Sequence, residues 1–129
     1  MDRKAVLLDT SVLIDLLHGR AEPSRLVRDL SARGHLLATS YVNIAELYAG
    51  MRPGEQSATE ELLAALECLP LTPEIARMAG DIVATRRRMG RTHTLDDMMI
   101  AATAIESGFA LLTANRRDFE IPEIELFSE

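Results

Sequence analysis

Apolar residues along this chain fall into two alternating patterns, short continuous runs and helical spacings. The first run covers residues 5–8, and a helical spacing of apolar residues follows it as far as Leu17. A short continuous run predicts a strand buried on both faces, as in a parallel sheet. Asp9 lies at the junction, where an acid either caps the following helix or takes part in the ligand chemistry that open α/β sheets place at their strand ends. This stretch alone favours neither interpretation of Asp9.

The two patterns continue to alternate along the rest of the chain. The later predicted strands are residues 35–39, 69–71, 110–113 and 124–127. The predicted helices cover residues 22–32, 41–49, 60–67 and 73–89, and a last helix starts at Thr94 or Asp96 and ends at Gly108. This alternation predicts a three-layer α/β/α fold with right-handed crossovers and a central, mostly parallel sheet of about five strands. Because no repeat or linker interrupts the pattern, we expect residues 1–129 to form a single domain.

Composition narrows the class of function. The net charge of −6 and the aromatic content of 4% argue against broad, sequence-blind binding to phosphate backbones. They do not exclude a nuclease, because metal-binding acids would count towards that charge. The single cysteine, Cys68, cannot form an internal disulfide. With no signal peptide or membrane span in the sequence, we expect a cytoplasmic protein.

Several polar residues occur at positions comparable to that of Asp9. Glu46 lies within an apolar stripe of a predicted helix, Asp97 near the start of the most apolar helix, and Asn115 and Asp118 just after a buried strand. Each alone is better explained as a helix cap, a turn former or a solvent-facing residue. However, strand ends and helix starts of such a fold face the same sheet edge, so these side chains can meet there. Clustered carboxylates repel each other unless a cation neutralises them, and Mg²⁺ or Mn²⁺ prefers such all-oxygen ligation.

Four blocks of the sequence together resemble the signatures of PIN-domain ribonucleases, in particular the VapC-type toxins of bacterial and archaeal toxin–antitoxin pairs. The blocks are residues 8–14 (LDTSVLI), 45–47 (AEL), 97–104 (DMMIAATA) and 112–119 (LTANRRDF). The resemblance implies a metal-dependent endoribonuclease that uses Mg²⁺, or alternatively Mn²⁺, to cleave RNA. It also implies a cognate antitoxin protein that inhibits the enzyme, and a homodimer.

Matching the blocks residue by residue implies a catalytic set. Asp9, Glu46 and Asp97 correspond to the first three family acids, and Asp9 and Asp97 are the expected metal ligands. Asp118 is our choice for the fourth acid, with Asn115 beside it as the alternative for that position. The expected supporting residues are Thr10, Asp96, Thr113 and Asn115. Asp96 competes with Asp97 for the third role, but the offset to the apolar residues that follow matches Asp97 and leaves Asp96 as a cap or supporting group.

Arginines flank the acids in the sequence. They are Arg86, Arg87, Arg88, Arg91, Arg116 and Arg117. The first group lies at a predicted helix C-terminus, where positive charge is favourable in any helix. The functional alternative, which the sequence leaves open, is contact between these arginines and RNA phosphates at the mouth of the acidic site.

Other functions fit the residues less well. A haloacid-dehalogenase-like phosphatase needs a second acid two residues after Asp9, where this chain has Ser11. A receiver-like signalling domain binds Mg²⁺ in an acidic pocket but keeps a lysine late in the fold, and Lys4 is the only lysine here. A catalytically silent PIN fold that only binds RNA or a partner remains an alternative, although the acids look complete.

Overall fold

Strands and helices alternate along residues 3–129, the part of the chain that this computed structural model describes. The strands are β1 (Ala5–Leu8), β2 (Leu36–Ser40), β3 (Glu67–Leu69) and β4 (Ala110–Leu112). The helices are α1 (Thr10–Leu17), α2 (Ala21–Ala32), α3 (Tyr41–Ala49), α4 (Gln56–Ala64), α5 (Pro73–Arg88) and α6 (Leu95–Ser107), and a 3₁₀ turn follows at Arg116–Phe119. In this part of the chain no helix is long and apolar enough to cross a membrane.

The sheet is parallel, with strand order β3-β2-β1-β4. The chain builds outward from β1 through β2 to β3 and then returns to place β4 on the other side of β1. The strand order therefore reverses between β1 and β4. In open α/β sheets the crevice at such a reversal, beyond the carboxyl ends of the strands, is where ligands bind.

Helices cover both faces of the sheet, as the alternation of side chains along β1 shows. Leu7 packs in a core cluster with residues of α5 and α6, including Ala79 and Ile100. Val6 and Leu8 point to the other face and pack with α1 and α2 through residues such as Leu13. Successive side chains of a strand face opposite sides, so a strand that is buried throughout requires both layers. The predicted three-layer α/β/α fold is confirmed.

Among residues 3–129 the sheet has four strands rather than about five. The predicted final strand, residues 124–127, pairs with β4 only through a single bridge between Leu126 and Leu111. β4 itself is only three residues long, so it has few backbone groups with which a further strand could pair. The edge strand β3 also ends earlier than predicted, because Pro70 follows it directly and has no N–H to donate.

Hydroxyl side chains set the starts of two helices that carry acids. Ser40 accepts a hydrogen bond from the backbone N–H of Asn43, and the Asn43 side chain accepts one from the Ser40 N–H, which together form a capping box for α3. Thr94 caps α6 by accepting from the Asp97 N–H at 3.3 Å. The choice left open between Thr94 and Asp96 as the cap therefore falls to Thr94. By contrast, α4 starts at Gln56 instead of residue 60 and has no side-chain cap.

Candidate active site

Strand register brings three loops together around Asp9. Leu8 pairs with Leu112 of β4, and the Asp9 N–H continues that ladder by donating to the Leu112 carbonyl at 3.0 Å. On the other side, Leu7 pairs with Ala38 of β2, two residues before Ser40. The residues that follow β1, β2 and β4 therefore lie side by side at the carboxyl edge of the sheet.

Asp9 is 5% exposed, and neutral donors hold its carboxylate. Thr113 Oγ1 donates to Oδ2 at 2.7 Å, Ser11 Oγ donates to the same oxygen at 3.3 Å, and Asn43 Nδ2 donates to Oδ1 at 3.1 Å. Asp9 occupies the N-cap position of α1, but its side chain makes no capping hydrogen bond. A buried carboxylate that does not cap the helix it precedes is better explained as a functional group than as a cap.

A short hydrogen-bond chain links Asp9 to Glu46. Asn43 Nδ2 also donates to Thr10 Oγ1 at 2.9 Å, and Thr10 Oγ1 donates to Glu46 Oε1 at 2.6 Å. Asn43 and Glu46 are three residues apart on α3 and therefore share one face of that helix. The first turn of α1 and one face of α3 thus form a single polar network.

The carboxyl groups of Glu46 on α3 and Asp96 on α6 are close enough to shift each other's pKa. Burial first, and the neighbouring Asp96 carboxylate second, raise the pKa of Glu46 from 4.5 to about 7, while the Thr10 hydroxyl opposes the change. The neighbouring Glu46 carboxyl group lowers the pKa of Asp96. Of these two carboxyl groups, Glu46 is therefore the one that retains its proton to higher pH. Asp96 is therefore neither the helix cap nor an isolated surface acid.

The pKa of Asp97 is affected by the other acids at the carboxyl edge of the sheet. Its pKa is raised mainly by burial, with further contributions from the negative charges of Asp96, Asp118 and Asp9, and the Thr94 hydrogen bond opposes this rise. These carboxylates are therefore close enough to repel one another. The structure brings Asp9 and Asp97, which lie far apart in sequence, to the same part of the sheet edge.

The loop after β4 is fastened to the site mainly through its backbone. The N–H groups of Ala114 and Asn115 donate to Ser11 Oγ and Thr113 Oγ1, both at 3.0 Å. Asp118 lies farther along, exposed in the 3₁₀ turn, with its N–H bonded to the Asn115 carbonyl. The negative charge of Asp118 acts on Asp97. Asn115 is connected to the site by the hydrogen bond from its backbone N–H to Thr113.

The donor set suits a hard divalent cation, although the side chains do not converge on one point. Within residues 3–129 no three His, Cys, Asp or Glu side chains are grouped closely enough to hold an ion among them. Mg²⁺ needs only one or two carboxylates, because it keeps several of its waters. Asp9 and Asp97 offer oxygen ligands of that kind. Since the charge of Asp9 already raises the pKa of Asp97, a cation between them would relieve their repulsion.

The six flanking arginines are not equivalent. The side chains of Arg87, Arg88, Arg91 and Arg117 are exposed. Arg116 is also exposed, but its Nη1 donates to the Phe127 carbonyl at 2.9 Å and so ties down the end of the chain. Arg86 is only 7% exposed and donates to the Glu120 carbonyl at 3.0 Å. Its guanidinium is therefore removed from the surface on which RNA contacts were expected.

Sequence reasoning missed one central residue, Asn43, and gave Ser11 only a secondary place. Both donate to Asp9, and Asn43 is fully buried. A polar residue three positions after the N-cap Ser40 is the available signal for Asn43, but it indicates a capping box and not a link to β1. Only the fold shows that the same amide group reaches Asp9.

Comparison with known proteins gives matches over nearly the whole chain. A family profile described as PIN domain matches residues 6–123. Ribonuclease VapC19 of Mycobacterium tuberculosis is 34% identical over 120 residues, which cover 92% of this chain and 96% of that protein. Ribonuclease VapC10 of the same organism is 38% identical over 110 residues, which cover 85% of this chain and 82% of that protein. The crystal structure of DNA-bound VapBC from Salmonella typhimurium matches with a TM-score of 0.80 and 27% identity, covering 96% of this chain and 97% of that chain.

Proposed function

This chain belongs to the PIN domain family, and from that premise we propose that it is a divalent-metal-dependent endoribonuclease of the VapC type, centred on Asp9. The resemblance read from the four sequence blocks is confirmed, because the family profile spans residues 6–123 and the curated relatives are VapC ribonucleases. The metal and the residue roles are our proposal. The observation that carries it is Asp9, a buried carboxylate at the strand-order reversal, held by three donors and not used as a cap.

Each acid has a distinct proposed role. Asp9 and Asp97 would hold Mg²⁺ or Mn²⁺, with Asp118 as the fourth acid at the open side of the site. A bound divalent cation supplies positive charge opposite the phosphodiester and makes water more acidic. Thr113, Ser11 and Asn43 orient Asp9 so that its position is set before any ligand arrives. This arrangement limits the reorganisation that substrate binding requires.

Glu46 is suited to proton transfer. With a pKa of about 7, its carboxyl group can hold or release a proton near neutral pH, where general acid–base groups work best. Thr10 fixes one of its oxygens at 2.6 Å. We therefore assign Glu46 the movement of a proton at the reacting water or leaving oxygen, and Asp96 the support of Glu46.

The test is RNA cleavage by purified protein freed of any partner. We expect cleavage of structured RNA with Mg²⁺ or Mn²⁺ and none with EDTA. Asp9→Asn and Asp97→Asn should each reduce the rate by at least about 100-fold, as expected when a group essential to the chemistry is removed. Asp15→Asn is a matched control, because Asp15 is the other acid of this segment and its carboxylate pairs with Arg20 at 3.1 Å. Full cleavage by both Asp9→Asn and Asp97→Asn would refute the assigned site and favour a silent RNA- or partner-binding module.

We also propose a cognate antitoxin and a homodimer. The antitoxin is supported by the similarity to VapBC from Salmonella typhimurium, and the homodimer by exposed apolar side chains such as Tyr41 and Leu95. Expression should arrest growth, and co-expression of a small protein encoded beside this chain should relieve the arrest. Sedimentation of the isolated protein as a monomer at micromolar concentration would contradict the dimer.

A further inference from the structure

The segment that carries Asp118 is held by the end of α5 and by the loop that follows α5. Arg86 Nη2 donates to the carbonyl of Glu120 at 3.0 Å, and His93 Nδ1, in the tautomer protonated there, donates to the carbonyl of Asp118 at 3.3 Å. Both bonds are made to the backbone. They therefore fix where the chain runs, whatever the side chain at position 118 is.

The burial of Arg86 is unusual for a charged side chain. It is 7% exposed, its Nε is buried without a hydrogen-bond partner, and no ion pair within residues 3–129 joins it to a carboxylate. Burying a charge without such a partner is costly, and an apolar residue of similar volume is commonly as stable or more stable. The position therefore does not gain its stability from the charge.

Arg86 also continues the apolar stripe of α5. Ile75, Ala79 and Ile82 precede it at helical spacing, and all three are buried. The two chain neighbours of Glu120, Phe119 and Ile121, are buried in the same core cluster as Ile82. The Arg86 guanidinium thus lies where α5 meets the chain directly after the 3₁₀ turn.

We propose that Arg86 is a positioning residue for the fourth acid: its bond to Glu120, together with that of His93 to Asp118, holds the 3₁₀ turn and so keeps the charge of Asp118 near Asp97. This inference rests on the proposed function, since it requires Asp118 to act in cleavage. It replaces the expectation that Arg86 contacts RNA phosphates. The two ideas differ in a measurable way, because a phosphate contact acts on RNA affinity and a positioning residue acts on the catalytic rate.

The experiment is a double-mutant cycle with the full-length protein. Arg86→Met keeps an unbranched side chain but removes the donor to Glu120. We expect it to lower kcat by at least about 10-fold, the usual cost of losing a group that orients a ligand residue, with little change in RNA Kd. In an Asp118→Asn background the same substitution should lower kcat by less than about 3-fold, because its target is already absent. Arg86→Lys, which retains a donor, should recover part of the rate, and Arg77→Met, on the exposed side of the same helix, should change nothing.

A second readout does not depend on activity or metal. Hydrogen–deuterium exchange in EDTA should become faster in residues 116–121 of Arg86→Met and stay unchanged in α6. Equal losses of kcat in both backgrounds, or faster exchange throughout the chain, would show that Arg86 only stabilises the fold. If Arg86→Met does not fold, His93→Ala and Arg86→Lys enter the same cycle. An Asp118→Asn variant with full activity overturns this proposal alone, whereas a fully active Asp9→Asn overturns the proposed function.

Discussion

Replacing Glu46 with a residue that cannot ionise should make the free energy of unfolding of the metal-free protein less dependent on pH. The pKa of Glu46 is raised from 4.5 to about 7 in the folded state, first by burial and then by the hydrogen bond to Asp96. Between these values the folded protein retains a proton that the unfolded chain has released. The free energy of unfolding must therefore fall as pH rises through this range. Below pH 4.5 the contribution of Glu46 is fully present, and above pH 7 it is lost.

The size of this loss follows from the two pKa values. A change of one pKa unit corresponds to 1.36 kcal/mol, so the full difference sets an upper bound of about 3 kcal/mol. Glu46 is only partly buried, so solvent screening reduces this contribution, and we expect a loss of about 1–2 kcal/mol between pH 5 and pH 8. Asp96 acts in a different window, because its lowered pKa contributes stability above 3.8 that is lost only at lower pH.

The assay is urea unfolding of the wild-type protein and Glu46→Gln at several pH values in EDTA. Gln retains an acceptor for Thr10 and a donor for Asp96 but cannot ionise. Groups that titrate in both proteins, including Asp97, cancel in the difference. The measured quantity is the free energy of unfolding of Glu46→Gln minus that of the wild type. This difference should increase by about 1–2 kcal/mol from pH 5 to pH 8. Parallel curves over this range would refute the assignment of the raised pKa to Glu46.

Other predictions follow from single contacts. Thr113→Val removes the 2.7 Å hydrogen bond to Asp9 and should slow RNA cleavage by about 10-fold while the protein still unfolds cooperatively; an unchanged rate in a kinetic assay would contradict the orienting role. Ser40→Ala removes the cap that receives the Asn43 N–H and should lower the free energy of urea unfolding by about 1 kcal/mol. Arg117→Ala should weaken RNA binding equally for different sequences and reduce the slope of log K against log salt by about 0.7, which filter binding at several salt concentrations can measure.

The fold and the position of Asp9 were predictable because both depend on local patterns. A short apolar run followed by helical spacing specifies a buried strand and the helix after it, and parallel strands bring their carboxyl ends to one edge. The register of the sheet was not predicted from the sequence; in the structure Leu8 and Leu112, each the last residue of its strand, pair directly. The predicted strand at residues 124–127 was wrong in extent because its apolar residues pack onto the core while only Leu126 finds a partner in the ladder.

Arg86 and Asn43 could not be assigned from the sequence for a different reason. Three consecutive arginines at a helix end indicate a solvated positive C-terminus, and nothing in the local pattern separates the first from the others except its spacing from Ile82. Asn43 similarly satisfies a capping box, which is a sufficient local explanation. In both cases the side chain serves a second, non-local partner, the Glu120 carbonyl or the Asp9 carboxylate, that only tertiary structure supplies.

The ionised acids at the carboxyl edge of the sheet destabilise the folded protein, and a bound cation can offset this effect. Asp97 and Glu46 both have raised pKa values, first because of burial and then because neighbouring carboxylates repel a further negative charge. Without a cation, each proton lost as pH rises therefore destabilises the fold. A ligand that binds only the folded state adds stability by mass action, and a divalent cation adds most where the repulsion is greatest. The stabilisation of the folded protein by Mg²⁺, measured by calorimetric unfolding, should accordingly be larger at pH 8 than at pH 5. Equal stabilisation at both pH values would show that the ion does not bind at these acids.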